Sequence, residues 1–270
     1  MRELLQTAVT AARAGGAVLE ARRGDAGEIR SKAWSIDLVS ETDIASGIAV
    51  ARAIAERHPD ARFVIEEDEV YDLAGVTRGA LDDDEVWVVD PLDGTTSFLH
   101  GYPNYSVSVA CVRDRQPAAG AVYNAALGEM NAGAVGLGAT RQDLPLQTGV
   151  AASVREALLI TGFPYDRGAP LDIQLAVLAA FLRAPVHGIR RDGSAAIDCC
   201  HVAGGRADGF WEYYLKPWDT AAGVVILREA GAVVTATDGT PWDITTDSIC
   251  CANPTLHADM LAVIERATAG

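Results

Sequence analysis

Trp87-Val88-Val89-Asp90-Pro91-Leu92-Asp93-Gly94-Thr95-Thr96 is the stretch whose reading decides the fold. Val86 to Val89 form a short apolar run, which predicts a buried strand. Pro91 is expected to end it. Asp90 and Asp93 then stand at the strand's carboxyl end, where open α/β sheets place their ligands. Gly94-Thr95-Thr96 is suited to open a helix, whose first N–H groups lack partners within the helix and attract an anion. Two carboxylates beside an anion seat supply the hard oxygen donors of a Mg²⁺-dependent phosphate site.

Elements on either side support a layered α/β chain. Residues 3–22 carry Leu4, Leu5, Ala8, Ala12, Gly15 and Leu19 at helical spacing. Ser40 or Thr42 is suited to cap a second helix ending near His58-Pro59. Arg62 to Ile65 reads as a strand ending on Glu66, and residues 70–84 as a loop. Tyr105 to Val112 alternates polar and apolar residues, and Ala119 to Tyr123 and Glu129 to Ala134 continue as strands. This predicts an antiparallel sheet with one wet face. Residues 136–150 read as loop and divide residues 1–145, mainly antiparallel, from residues 150–270. The second part alternates strands and helices, which predicts a mostly parallel sheet. Its expected strands lie at 158–161, 186–189, 208–212, 232–235 and 249–252, and its helices at 171–183, 194–202, 218–230 and 254–268.

Glu66 and Asp90 end strands, Asp93 follows three residues later, and Asp219 stands at the start of a helix. Four acids at element ends repel one another if they converge, unless cations lie between them. Taken alone, Asp219 reads as a helix cap and Glu66 as a surface acid. The Asp90/Asp93 pair is not so easily set aside, because a glycine and two threonines follow it. Lys32, Arg190 and Arg191 read more simply as surface cations. Trp87, Trp211 and Trp218 read as packing aromatics.

Composition narrows the class. The chain has 270 residues, 49% hydrophobic and 22% charged, with a formal charge of −15. No basic patch favours a nucleic-acid partner, and no apolar run is long enough to cross a membrane. Arg2, Glu3, Arg13 and Glu20 interrupt the start, so it does not read as a signal peptide. The cysteines, Cys111, Cys199, Cys200, Cys250 and Cys251, form no disulfide framework. They read as buried thiols of a reduced, cytoplasmic protein. The five histidines show no metal-ligand spacing.

Asp90-Pro91-Leu92-Asp93-Gly94-Thr95-Thr96-Ser97-Phe98 resembles the first signature of the inositol monophosphatase family, and Trp218-Asp219-Thr220-Ala221-Ala222-Gly223 its second. Phe63-Val64-Ile65-Glu66-Glu67, Asp37-Leu38-Val39-Ser40-Glu41-Thr42-Asp43, Arg190 to Ala196 and the stretch from Gly205 to Glu212 also match, in the family's order and spacing. The resemblance implies an α/β fold, an αβαβα sandwich of the inositol monophosphatase and fructose-1,6-bisphosphatase type, acting as one catalytic unit. It implies a lithium-sensitive phosphatase with two or three Mg²⁺ per site. Glu66, Asp90 and the Leu92 carbonyl would hold the first ion, and Asp90, Asp93 and Asp219 the second; a third would lean on Glu66. Asp93, Gly94 and Thr95 would meet the phosphate, and Thr95, paired with Asp43, would orient the water. Ala195, Glu212 and Asp219 would contact the alcohol. Ser97 and Ile65 depart from the family's usual Asn and Gly, and neither departure removes an implied ligand.

The implied substrate is a small phosphorylated polyol or sugar, most simply inositol-1-phosphate, and the implied assembly is a homodimer. The same chemistry on fructose-1,6-bisphosphate, histidinol phosphate, 3′-phosphoadenosine 5′-phosphate or NADP stays open. So does a regulatory binding protein that retains the fold.

Overall fold

The computed structural model describes residues 1–32 and 34–269; Ala33 and Gly270, both within the expected catalytic unit, lie outside them. Helix α1 (Arg2–Ala21) is followed by strands β1 (Ile29–Ser31) and β2 (Leu38–Ser40), which pair antiparallel. Helix α2 (Glu41–Ala55) is capped by Ser40, not Thr42: the Ser40 hydroxyl accepts from the Thr42 N–H, and Asp43 closes the box on the Ser40 N–H. Strand β3 (Arg62–Ile65), helix α3 (Glu69–Ala74), strand β4 (Thr77–Arg78) and the long strand β5 (Glu85–Asp93) come next. Residues 70–84 are therefore not the plain loop expected. Val70 and Tyr71 are buried, and the Tyr71 hydroxyl donates to the Phe63 carbonyl, which pins a helical turn no local periodicity announced.

Helix α4 (Thr95–Leu99) leads into strands β6 (Ser106–Arg113), β7 (Gln116–Asn124), β8 (Glu129–Ala134), β9 (Gly138–Arg141) and β10 (Leu144–Pro145). The last two fall where a loop was expected. Among the described residues the sheet holds eight strands in the order β10-β9-β8-β7-β6-β5-β3-β4, antiparallel except where β3 meets β4 and β5. Its β6 has no wet face. Ser106 and Ser108 are as buried as Val107 and Val109, because helices cover both sides. Ser106 meets Ser194 at 3.2 Å and Ser108 donates to the Trp218 carbonyl at 3.1 Å, so the alternation marks polar anchoring to the next layer rather than solvent.

The second part contributes β11 (Leu158–Thr161), α5 (Ala169–Arg183), β12 (Gly188–Arg190), α6 (Ala195–Ala203), β13 (Gly209–Tyr213), α7 (Pro217–Glu229), β14 (Val233–Thr235), β15 (Ser248–Ala252) and α8 (Pro254–Thr268). Its sheet, ordered β12-β11-β13-β15-β14, is mixed rather than mostly parallel. Only β11 makes parallel pairs, with β12 and β13; β15 runs antiparallel to β13 and β14. Alternation of elements predicted their types, but the chain's return after β14 set the direction of β15.

Three apolar clusters bind the layers into an αβαβα sandwich. One joins α1 and α2 to the first sheet, a second places α6 and α7 between the sheets, and a third packs α5 and α8 on the second sheet. Trp87, Phe63 and Leu92 are fully buried there, each contributing roughly 1.5–3 kcal/mol relative to exposure.

Candidate active site

Strand β5 does not stop at Pro91. It continues to Asp93 through an irregularity: Asp90 faces Ser108 and Asp93 faces Ser106, so one extra residue is accommodated. A proline, which has no N–H to give a ladder, fits such a break. The Leu92 N–H turns instead to Asp90 Oδ1 at 3.0 Å, and the Pro91 carbonyl accepts from Ser46 Oγ at 2.7 Å. Bulges re-aim side chains, and this one brings Asp90, Leu92 and Asp93 to one wall of a cavity of about 230 Å³. Gly94 follows in the left-handed region, with φ +94°. A Cβ there would stand 2.9 Å from the Asn104 carbonyl oxygen, so both dihedral and space require glycine.

Glu66, Asp90, Asp93 and Asp219 all line this cavity, with Asp37, Gly94 and Thr95. Burial pushes the Asp90 carboxyl well up, and Glu66, Asp93 and Asp219 push it further. Asp219 is raised by burial and then by Asp93 and Glu66. Asp93 is pushed up to about 6 by burial, against the bonds it accepts from Ser194 Oγ at 2.6 Å and the Ala196 N–H at 2.8 Å. Asp219 is not the N-cap of α7, which is Lys216, but it does close the capping box. It is the third residue of α7 and accepts from the Lys216 N–H at 2.7 Å, which leaves its other oxygen for the cavity.

Asp43 and Thr95 meet as expected: Thr95 Oγ1 donates to Asp43 Oδ1 at 2.8 Å and lies 3.2 Å from the Leu92 carbonyl. A carboxylate only accepts, so Asp43 takes the Thr95 proton and leaves that hydroxyl's lone pairs free to accept from a water. Burial raises the Asp43 carboxyl, opposed by the bonds from Ser40 and Thr95.

Ala195, Glu212 and Asp219 share an adjoining recess with Asp93, Asp198 and Arg191. Glu212 enters it because Gly162 makes room: a Cβ on Gly162 would overlap the Glu212 carboxylate. Burial pushes Glu212 up to about 8, with Arg191 opposing. Arg191 is thus a neighbour of the recess and not simply a surface cation.

Lys32 is also more than an exposed lysine. Its Nζ lies 2.6 Å from Glu66 Oε1 and makes an ion-pair contact of 2.5 Å with Glu67. Burial works against its charge, yet the two glutamates raise its pKa. Sequence reading also missed Tyr165 and Tyr214 at the cavity and Ser194 in the recess. Only Ser194 carried a signal, as the residue between Gly193 and an apolar helix.

The donor set suits a hard divalent cation: carboxylate oxygens and the Leu92 carbonyl, mutually repelling without a counter-charge. Among the described residues, no three His, Cys, Asp or Glu side chains are drawn together at metal-ligating spacing. Glu66 turns to Lys32, so holding an ion requires that pairing to open. The cysteines are all free and buried, and burial pushes the thiols of Cys111, Cys200 and Cys250 up to about 12, which makes them inert.

Residues 1–269 match the sequence model of the Inositol monophosphatase family. The chain belongs to the inositol monophosphatase family. It is 39% identical over 256 residues to an "Inositol-1-monophosphatase" of Synechocystis, covering 95% of this chain and 86% of that one. It is 37% identical to a "Putative Nus factor SuhB" of Neisseria meningitidis serogroup B, covering 98% of both. The structure of an inositol monophosphatase from Anabaena superposes with a TM-score of 0.86 at 35% identity, covering 98% of this chain and 96% of that one. The expected fold and enzyme class therefore hold: the chain is a phosphatase of a generally metal-dependent family. No helix among the described residues is long and apolar enough to cross a membrane.

Proposed function

We propose that the chain hydrolyses a small phosphate monoester, most simply inositol-1-phosphate, by in-line attack of water on phosphorus. The convergence of Glu66, Asp90, Asp93 and Asp219 on one cavity beside Gly94 and Thr95 carries this reading. Those carboxylates and the Leu92 carbonyl would hold two or three Mg²⁺, which when bound supply a more acidic water and offset charge on the phosphoryl group and the departing oxygen. Gly94 and Thr95 seat the phosphate on their N–H groups. Thr95, with its proton committed to Asp43, accepts a hydrogen bond from the attacking water and aligns it. Glu212, with Ala195 and Asp219, meets the alcohol, and its carboxylate accepts from substrate hydroxyls. Because Asp219 and Glu212 come from the second part of the chain and the rest from the first, the two parts act as one catalytic unit. A cytoplasmic homodimer accords with this reading.

The test is phosphate release from a panel of monoesters, with and without Mg²⁺. Asp90→Asn should abolish the Mg²⁺-stimulated rate while circular dichroism shows the fold retained; full activity in that variant refutes the ligand assignment. The name of the Neisseria relative favours a second reading, in which the same fold also serves a regulatory complex. Wild-type protein that releases no phosphate from any ester with Mg²⁺ present would favour it.

A further inference from the structure

Helix α6 runs between the two sheets, where Ala196, Ile197, Cys199, Cys200 and Val202 join an apolar cluster. Asp198 is the only acid of this helix, and it is 1% exposed. Its N–H donates to the Ser194 carbonyl at 3.0 Å, so the first turn fixes its backbone. Its side chain is not settled in the same way. The Asp198 Oδ1 is closed off from solvent and has no hydrogen-bond partner. A buried polar atom left unpaired lowers stability, so native proteins keep few of them, and those they keep have a reason.

Asp198 lines the recess that also holds Glu212, Ala195 and Asp219, a space of about 90 Å³. That volume admits a few groups the size of a water. Gly162 and Gly193 stand in its wall with no side chains to fill it. Burial pushes the Asp198 carboxyl well up, and Glu212, Asp93 and Asp192 push it further, with Arg191 opposing. Two acids in one dry recess serve each other poorly when both are charged. A ligand hydroxyl serves either of them, because it donates to a carboxylate and accepts from a carboxylic acid. An ester with its phosphate at Gly94 and Thr95 and its alcohol at Glu212 would bring its further hydroxyls to this recess.

We propose that Asp198 is a specificity-determining residue of this site: a second buried hydrogen-bond partner beside Glu212 for the hydroxyls of the alcohol, so that the recess selects polyol esters by pairing more than one hydroxyl. This rests on the phosphatase reading above. No bond is made or broken at Asp198, and its part is to hold the alcohol. Its unpaired oxygen lowers the stability of the empty protein, a trade between stability and selection that binding sites commonly make.

The experiment compares inositol-1-phosphate with 4-nitrophenyl phosphate, whose alcohol has no free hydroxyl, using the full chain and Mg²⁺. The proteins are wild type, Asp198→Ala and Asp198→Asn. Alanine is the best helix former, so the first variant keeps α6. In Asp198→Ala, kcat/KM for inositol-1-phosphate relative to 4-nitrophenyl phosphate should fall about ten-fold, the weight of one hydrogen bond to a carboxyl, with the change in KM rather than kcat. Asp198→Asn, whose amide both donates and accepts, should keep most of the preference. Without substrate, the thermal midpoint of Asp198→Ala should equal or exceed that of wild type, because the unpaired oxygen is gone. An unchanged ratio in Asp198→Ala overturns the assignment. A lower midpoint together with equal losses on both esters makes Asp198 a structural acid and overturns it as well. Hydrolysis of neither ester by wild type refutes the phosphatase reading itself, an outcome distinct from an unchanged ratio.

Discussion

Asp43→Asn separates the two tasks that one buried carboxylate performs. Asp43 is 1% exposed; its Oδ2 accepts from the Ser40 N–H at 2.9 Å and the Ser40 hydroxyl at 2.5 Å, and its Oδ1 accepts from Thr95. An amide has only one acceptor oxygen. The Ser40 N–H cannot rotate away, so the oxygen should turn to Ser40 and present the NH₂ to Thr95. The cap then keeps its geometry but loses its charge. Hydrogen bonds to a charged partner contribute about 1.5–3 kcal/mol and neutral ones about 0.5–1.5, so two weakened bonds cost about 2 kcal/mol. At Thr95 the hydrogen bond reverses: the hydroxyl must now accept from residue 43, and a lone pair meant for the water is taken. Turnover should fall about 100-fold, in the range of a lost proton-positioning contact, with KM little changed. Urea unfolding reads the first effect and phosphate release at saturating ester and Mg²⁺ the second. Ser40→Ala is the control. It removes both bonds of the Ser40 hydroxyl, to Asp43 and from the Thr42 N–H, should cost about 1–2 kcal/mol, and leaves the Asp43–Thr95 bond in place. Asp43→Asn with wild-type turnover, or Ser40→Ala with an equal loss of turnover, would show that Asp43 is only a helix cap.

Gly94→Ala places a Cβ 2.9 Å from the Asn104 carbonyl oxygen at a positive φ; it should lower stability by about 1–3 kcal/mol and suppress phosphate release, which thermal unfolding and the phosphate assay would read. The metal-free protein should lose stability as pH rises. Burial pushes Asp93 up to about 6 and Glu212 up to about 8; a raised carboxyl stabilises fully below its ordinary range near 4 and ceases to do so as pH passes its folded value. Thermal midpoints in EDTA should therefore decline between about pH 4 and 8, and Mg²⁺ should flatten the decline; a midpoint rising across that window contradicts the raised carboxyls. Glu212→Gln should change the relative rates within a panel of polyol monophosphates, and an identical profile would mean that the carboxylate does not touch the alcohol.

Much of this protein was legible because it is encoded locally. The apolar run of β5, the cap at Ser40, the helix opened after Gly94 and the proline that opens α8 each act over a few residues, and each lies where sequence rules place it. The carboxylates were legible for the same reason, as acids at element ends. Tertiary packing decided the rest. β5 runs through Pro91 because a bulge against β6 absorbs the missing N–H. The serines of β6 are dry because α6 and α7 cover them, although their alternation resembles a solvated face. Asp93 is fixed by Ser194 across 101 positions and Lys32 meets Glu66 across 34, separations over which local propensity carries no information. The left-handed Tyr214 could not be foreseen at all, since nothing in a tyrosine asks for positive φ; the sheet on one side and the helix start on the other impose it. Sequence by itself determined which elements form and where the acids stand along them. Only the packed layers decided which acids share a cavity and what surrounds its mouth, because burial and long-range contacts exist only once the sheets and helices have closed on one another.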